Sequence, residues 1–253
     1  MRFKVCGLVL LFLSGGVRLS VAVNLFSTQT VEYPSGRGMV KGFLAAPRTG
    51  GRHPAIVVIH EWWGLVPWVK EQAEKLAGQG YVALAVDLYR GKSTSDPSTA
   101  GELAHSLPPG RVPQDLDAAF NYLASRRDVD KNKIGSIGWC MGGGWSLQLA
   151  EHEPRLAACV VNYGALPKSS ADLQAIHAPV LGNFGAEDHG IPPQAVHAFE
   201  SAMKAAGKQV NVKIYAGAGH AFENPNNKRG YRSAATADAW RRTVTFLNEE
   251  LQR

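Results

Sequence analysis

The run Ala55-Ile56-Val57-Val58-Ile59 is apolar at every position and mostly β-branched. A strand with one face in water alternates polar and apolar residues, so this run reads as a strand buried on both faces. It is one of a series. Tyr81 to Val86, Leu156 to Val161, Pro179 to Phe184 and Val210 to Tyr215 also read as strands. Between them lie helical patterns at Val66–Gln79, Pro113–Ser125, Pro192–Ala206 and Ala234–Leu251. In the second of these, Leu116, Ala119, Phe120 and Leu123 share one face. Thr30–Tyr33 and Met39–Ala46 read as an opening hairpin around Pro34-Ser35-Gly36. Strands alternating with helices predict an α/β fold, with a mostly parallel sheet covered by helices on both faces. Right-handed crossovers then put the functional loops at the carboxyl ends of the strands.

Length and leader set the domain count. The chain has 253 residues, enough for one α/β domain with a large core. Residues 1–22 read as a signal peptide: Arg2 and Lys4, an apolar run from Val5 to Leu13, then Ser20-Val21-Ala22 as a small-residue cleavage site. That run is short for a bilayer span. The expectation is export to the periplasm or medium with cleavage after Ala22, retention as an anchor being the alternative. A single domain over 23–253 is expected, with no stable membrane contact after cleavage. The formal net charge is +6, and the leader's Arg2, Lys4 and Arg18 carry three of those charges. The remainder is only mildly basic, without Lys/Arg runs, so no nucleic-acid partner is expected. Of three cysteines, Cys140 and Cys159 lie beyond the leader. Cys159 sits in an apolar strand run and reads as a small buried hydrophobe, although an exported protein could pair the two. No Cys-x-x-Cys or Cys/His cluster has zinc spacing, so neither metal nor other cofactor is expected.

Gly138-Trp139-Cys140-Met141-Gly142 follows the strand-like Lys133–Ile137 and precedes helix-forming Trp145–Ala150. Gly-x-nucleophile-x-Gly between a strand and a helix is the elbow pattern, here with a thiol. The glycines permit the tight turn, and the helix N-terminus favours thiolate. Such a thiol needs a base and a group to orient that base. Asp188 follows the strand Pro179–Phe184, and His220 follows Val210–Tyr215 in Gly217-Ala218-Gly219-His220-Ala221-Phe222. Each gap holds a further crossover, so all three groups can meet at one sheet edge. Taken singly, the elbow could be an architectural turn, His220 a loop residue, and Asp188 a helix cap; Glu187 is a rival acid. Their joint order, nucleophile, acid, histidine, favours catalysis.

The loop His60-Glu61-Trp62-Trp63-Gly64-Leu65 follows the first core strand. Backbone N–H groups of Trp62 and Met141 are the candidate oxyanion donors. Glu61 is either a proton acceptor for the thiol or a surface acid paired with Lys70 or Arg90. Trp63, Arg90, Phe222 and Asn224 are candidate substrate contacts. His60 reads as a packing residue. The segments Ser93–Arg111 and Asn224–Ser233 read as loops near the acyl site.

These motifs, with Asp87-Leu88-Tyr89-Arg90-Gly91-Lys92 and Asp188-His189-Gly190-Ile191-Pro192, resemble those of the dienelactone hydrolase (carboxymethylenebutenolidase) family of α/β-hydrolases. The resemblance runs from about Thr28 to the C-terminus. It implies a Cys140–Asp188–His220 triad and a Glu61 that interacts with the thiol. It implies hydrolysis of a small ester or lactone through an acyl-thioester, released by water that His220 activates. Family members hold a substrate carboxylate with two arginines. Arg90 lies one position from the first, and Asn224 stands where the second would be. Two alternatives remain on the sequence alone: a non-catalytic ligand-binding protein on this scaffold, and a redox thiol at Cys140.

Overall fold

A computed structural model describes residues 25–167 and 170–253. The proposed leader lies outside them. Eight strands form one sheet: β1 (Phe26–Ser35), β2 (Gly38–Pro47), β3 (His53–Ile59), β4 (Val82–Val86), β5 (Val129–Trp139), β6 (Ala158–Asn162), β7 (Val180–Gly185) and β8 (Val210–Tyr215). Their order is β1-β2-β4-β3-β5-β6-β7-β8. The β1–β2 hairpin and its junction with β4 are antiparallel, and the pairs from β4 through β8 are parallel.

Among the described residues seven helices flank the sheet: α1 (Pro67–Gly78), α2 (Pro97–His105), α3 (Arg111–Ser125), α4 (Met141–His152), α5 (Ser170–Ala175), α6 (Pro193–Ala205) and α7 (Ser233–Leu251). Successive strand side chains point to opposite faces. Ala55, Val57 and Ile59 of β3 therefore join the core against α3, α4 and α6, while Ile56 and Val58 join the core against α1 and α7. Strand β4 divides likewise, with Val82, Leu84 and Val86 on the first face and Ala83 and Ala85 on the second. The run Ala55–Ile59 of β3 and the whole of β4 are buried. This is the reason they are apolar at every position, and the mostly parallel sheet covered by helices on both faces is the α/β architecture expected from the alternation.

Helix α2 lies inside Ser93–Arg111, a segment whose sequence predicts a loop. Only Ala100 of this helix is buried, so it has no apolar stripe for periodicity to reveal. Its local signals are the Asp96 cap, which accepts from the Thr99 N–H, and Pro97 in the first turn.

Candidate active site

Strand β5 ends at Trp139 and α4 begins at Met141, leaving Cys140 as the whole turn. Cys140 has φ 55° and ψ −120°. For a residue with a Cβ this costs about 1–3 kcal/mol and must be imposed by its surroundings. The two glycines matter through close approach. A Cβ on Gly138 would lie 1.9 Å from the Gly142 carbonyl oxygen, and one on Gly142 would lie 2.3 Å from that of Ile59. The turn is also anchored sideways. Cys140 N–H donates to Asn162 O at 3.0 Å, and Asn162 Nδ2 donates to Gly138 O at 3.2 Å. Asn183 Nδ2 donates to Asn162 Oδ1 at 2.8 Å, and Arg242 donates to Asn183 Oδ1 at 2.6 Å. Both asparagines are buried on neighbouring strands, so their amides hold the elbow against β6 and β7.

Asp188 lies past β7 and His220 past β8. His220 Nδ1 donates to Asp188 Oδ2 at 2.7 Å. The other oxygen, Oδ1, accepts from the N–H groups of Gly190 (2.9 Å) and Ile191 (3.1 Å). Burial would raise this carboxyl, but the bonds from His220, Ile191 and Gly190 outweigh it and hold Asp188 below the ordinary carboxylate value. Glu187 is exposed and plays no part in the pair. Burial likewise pulls His220 down. Its bonds with Asp188 and Cys140 and their charges overcome that and push it up to about 10. The imidazole is thus set between a fixed carboxylate and the thiol, and an imidazolium there is strongly favoured.

Glu61 is 1% exposed. Its Oε2 accepts from Asn224 Nδ2 at 2.6 Å, and its Oε1 accepts from Tyr163 Oη at 3.3 Å. Neither Lys70 nor Arg90 pairs with it among the described residues. Burial raises its carboxyl to about 7, against the lowering effect of Asn224, His220 and Tyr163. His60 fixes the Glu61 main chain: Nδ1 bonds Glu61 O at 2.5 Å, and Nε2 accepts from Leu88 N–H at 3.3 Å. Those two bonds require the neutral ring, consistent with burial lowering its pKa.

A cavity of about 870 Å³ opens over these groups, lined by Glu61, Trp62, Trp63, Cys140, His220 and Asn224, with the 226–229 loop at its rim. That is the size of a small-molecule site. Among the described residues, the backbone N–H groups of Trp62 and Met141 donate to no loop or cap carbonyl. Met141 is the first residue of α4, where a helix leaves its N–H groups free.

Two expected substrate contacts lie elsewhere. Arg90 is absent from the cavity wall because its guanidinium donates to buried Asp115 Oδ1 at 2.7 Å. Phe222 is fully buried beneath the site, against Tyr163 and Tyr215 at ring distances of 5.5 and 5.1 Å. Asn224 does line the cavity, but its amide is engaged by Glu61. Tyr163 went unnoticed in the sequence. It has φ 40°, its ring meets His220 edge-on at 5.3 Å, and its hydroxyl reaches Glu61. Its only local signal is its position just after a buried strand. Cys140 and Cys159 are both free thiols, the latter fully buried beside Ser146.

A parallel sheet of this order, with a strained strand–helix turn facing an Asp-backed histidine, defines an α/β-hydrolase. The family model for the dienelactone hydrolase family matches residues 40–251. A protein of Methylorubrum extorquens named "Putative carboxymethylenebutenolidase" is 33% identical over 233 residues, covering 87% of this chain and 80% of its own. "Protein usf" of Aquifex pyrophilus is 33% identical over 231 residues, covering 88% of this chain and 99% of its own. A dienelactone hydrolase-like promiscuous phosphotriesterase from metagenomic libraries superposes with a TM-score of 0.82 at 25% identity, covering 89% and 99% of the two chains. The chain belongs to the dienelactone hydrolase family and is a carboxylic ester hydrolase.

Proposed function

We propose that Cys140 is the nucleophile of this hydrolase and that esters or lactones are opened through an acyl-thioester on it. The observation that carries the reading is the Cys140–His220–Asp188 series beneath the cavity, at the ends of three parallel strands. Cys140 Sγ adds to the carbonyl carbon, and the oxygen takes up the charge between the N–H groups of Trp62 and Met141. Each such donor contributes roughly 3 kcal/mol to the transition state. The intermediate collapses with loss of the C–O bond, and His220 delivers its proton to the departing oxygen. In a lactone that oxygen stays tethered to the acyl chain. Water then adds to the thioester and gives a proton to His220. The C–S bond breaks and the acid leaves.

Glu61, beside the thiol in the same cavity wall, serves as the proton acceptor that assists thiolate formation once substrate enters. Trp62 and Trp63 make an apolar wall suited to an uncharged acyl or alcohol portion. We further propose that residues 1–22 direct export of a single domain over 23–253, with cleavage after Ala22; the intact mass of the protein from periplasm and medium tests this.

The test of function is a panel of aryl esters and lactones on the wild type and Cys140→Ala. Loss of hydrolysis in the variant, with an acyl adduct on wild-type Cys140 by intact mass, is expected. Full hydrolysis by Cys140→Ala overturns the assignment. Cys140→Ser keeps at most a reduced activity, because the hydroxyl is not ionised by the same surroundings.

A further inference from the structure

The turn after His220 places a second buried carboxyl behind the site. Ala221 has φ 56°, and Phe222, Glu223 and Asn224 then turn inward. Two consecutive side chains of this turn reach two different parts of the site. Asn224 bonds Glu61, and Glu223 Oε2 accepts from Trp139 Nε1 at 3.2 Å. Trp139 is 1% exposed, immediately precedes Cys140, and packs edge-on against Trp68 of α1 at 5.4 Å. The other oxygen, Glu223 Oε1, is buried and has no hydrogen-bond partner among the described residues.

The groups that face Glu223 are Glu61, Tyr163, Trp139 and Lys75. Lys75 makes no ion pair with Glu223 among the described residues: its ammonium bonds Gln72 Oε1 at 3.4 Å and sits over the Trp240 ring, so it acts on the carboxyl only through its charge at a distance. A carboxylate with one indole donor, an orphan oxygen and a second carboxyl nearby is poorly placed to hold charge.

We propose that Glu223 is a positioning residue for the nucleophile: as a neutral acid it fixes Trp139, and with it the strand end presenting Cys140, without adding a second negative charge behind Glu61 and the thiol. Burial and the charge of Glu61 push its carboxyl up to about 8, against the Trp139 bond and Lys75. Above that pH a second negative charge stands behind the thiol and opposes formation of thiolate and oxyanion. The inference rests on Cys140 being the nucleophile.

The test is the pH profile of kcat and KM for a neutral ester in wild type, Glu223→Gln and Glu223→Leu, with Cys140→Ala alongside. Wild-type kcat/KM falls at least about threefold between pH 7.5 and 9, as for one added ionisation. Glu223→Gln imitates the neutral acid. It matches the wild type within about twofold at pH 7 and keeps its rate to pH 9, a change that a purely structural role would not produce. Glu223→Leu leaves the indole N–H unpaired and lowers kcat about tenfold at unchanged KM. An alkaline limb in Glu223→Gln that superimposes on the wild type overturns the proposal, whether or not the leucine variant folds. Wild-type kcat in Glu223→Leu does so as well. If Cys140→Ala still hydrolyses the ester, the nucleophile assignment has failed. If it is dead and the limb persists in Glu223→Gln, only the role of Glu223 has failed.

Discussion

Asn224 Nδ2 donates to Glu61 Oε2 across 2.6 Å, linking the turn after His220 to the loop after β3. With Tyr163 on the other oxygen, both lone-pair faces of a nearly inaccessible carboxyl are held by neutral donors. Neutral donors stabilise the charged form without supplying a full countercharge, so burial still wins and the group titrates near neutrality.

Removing the Asn224 amide should therefore raise Glu61 further. In Asn224→Ala the acid limb of kcat/KM should move to higher pH by about one unit, because a hydrogen bond to an ionised group is worth about 1.5–3 kcal/mol, discounted for water entering the gap. Steady-state rates from pH 5 to 8 measure it. An unmoved limb would mean that Glu61 does not govern thiolate formation.

The same group makes a stability prediction. Glu61 titrates at about 7 in the folded protein, against an ordinary value of 4.5. The native state thus holds the proton more tightly than the unfolded chain between those values. Stability contributed by the neutral form is present at low pH and is lost as pH rises through that window. Glu61→Gln cannot ionise. Its melting temperature relative to wild type should be higher at pH 8 than at pH 5, by an amount equivalent to about 1–3 kcal/mol. Thermal unfolding at the two pH values decides the sign.

The elbow and the core strands were legible because each is written in contiguous residues, and the order of Cys140, Asp188 and His220 because each of the three follows such a strand. Tyr163 and the Asn162–Asn183 amide pair were not. Their contacts depend on register: Asn162 lies opposite Trp139 on one side and Asn183 on the other, and no local pattern encodes that pairing. Arg90 misled for the same reason. It lies just after the Asp-Leu-Tyr motif, one position from the place of a substrate arginine, but its partner Asp115 comes from α3, 25 residues on. Helix α2 escaped because a helix on the surface with one buried residue has no period to read.

Gly142 provides a test of the oxyanion geometry that leaves every polar side chain intact. A methyl there would press on the carbonyl oxygens of Ile59 and His60 at 2.3 and 2.5 Å. Backbone cannot yield as a flexible side chain can, so the loop bearing Trp62 must move away from α4. Gly142→Ala should lose about 10²-fold in kcat, the loss expected when one oxyanion donor is displaced. Circular dichroism and the melting temperature, read beside the rate, separate this from global unfolding. A near wild-type kcat would show that the Trp62 N–H is not a donor.

Arg90 separates a structural cation from a substrate contact. Its carboxylate partner, Asp115, is fully buried, accepts from Ser35 Oγ at 2.6 Å, and lies 4.0 Å from the Arg111 guanidinium. Removing one partner of a wholly buried pair costs about 3–5 kcal/mol. Arg90 is 30% exposed and Arg111 remains, so Arg90→Ala should cost less, about 1–3 kcal/mol. Because the guanidinium is outside the cavity wall, KM for anionic and neutral esters should change equally and by less than about twofold. Urea unfolding measures the first quantity and paired steady-state kinetics the second. A KM that rises for the anionic ester alone would return Arg90 to the substrate site.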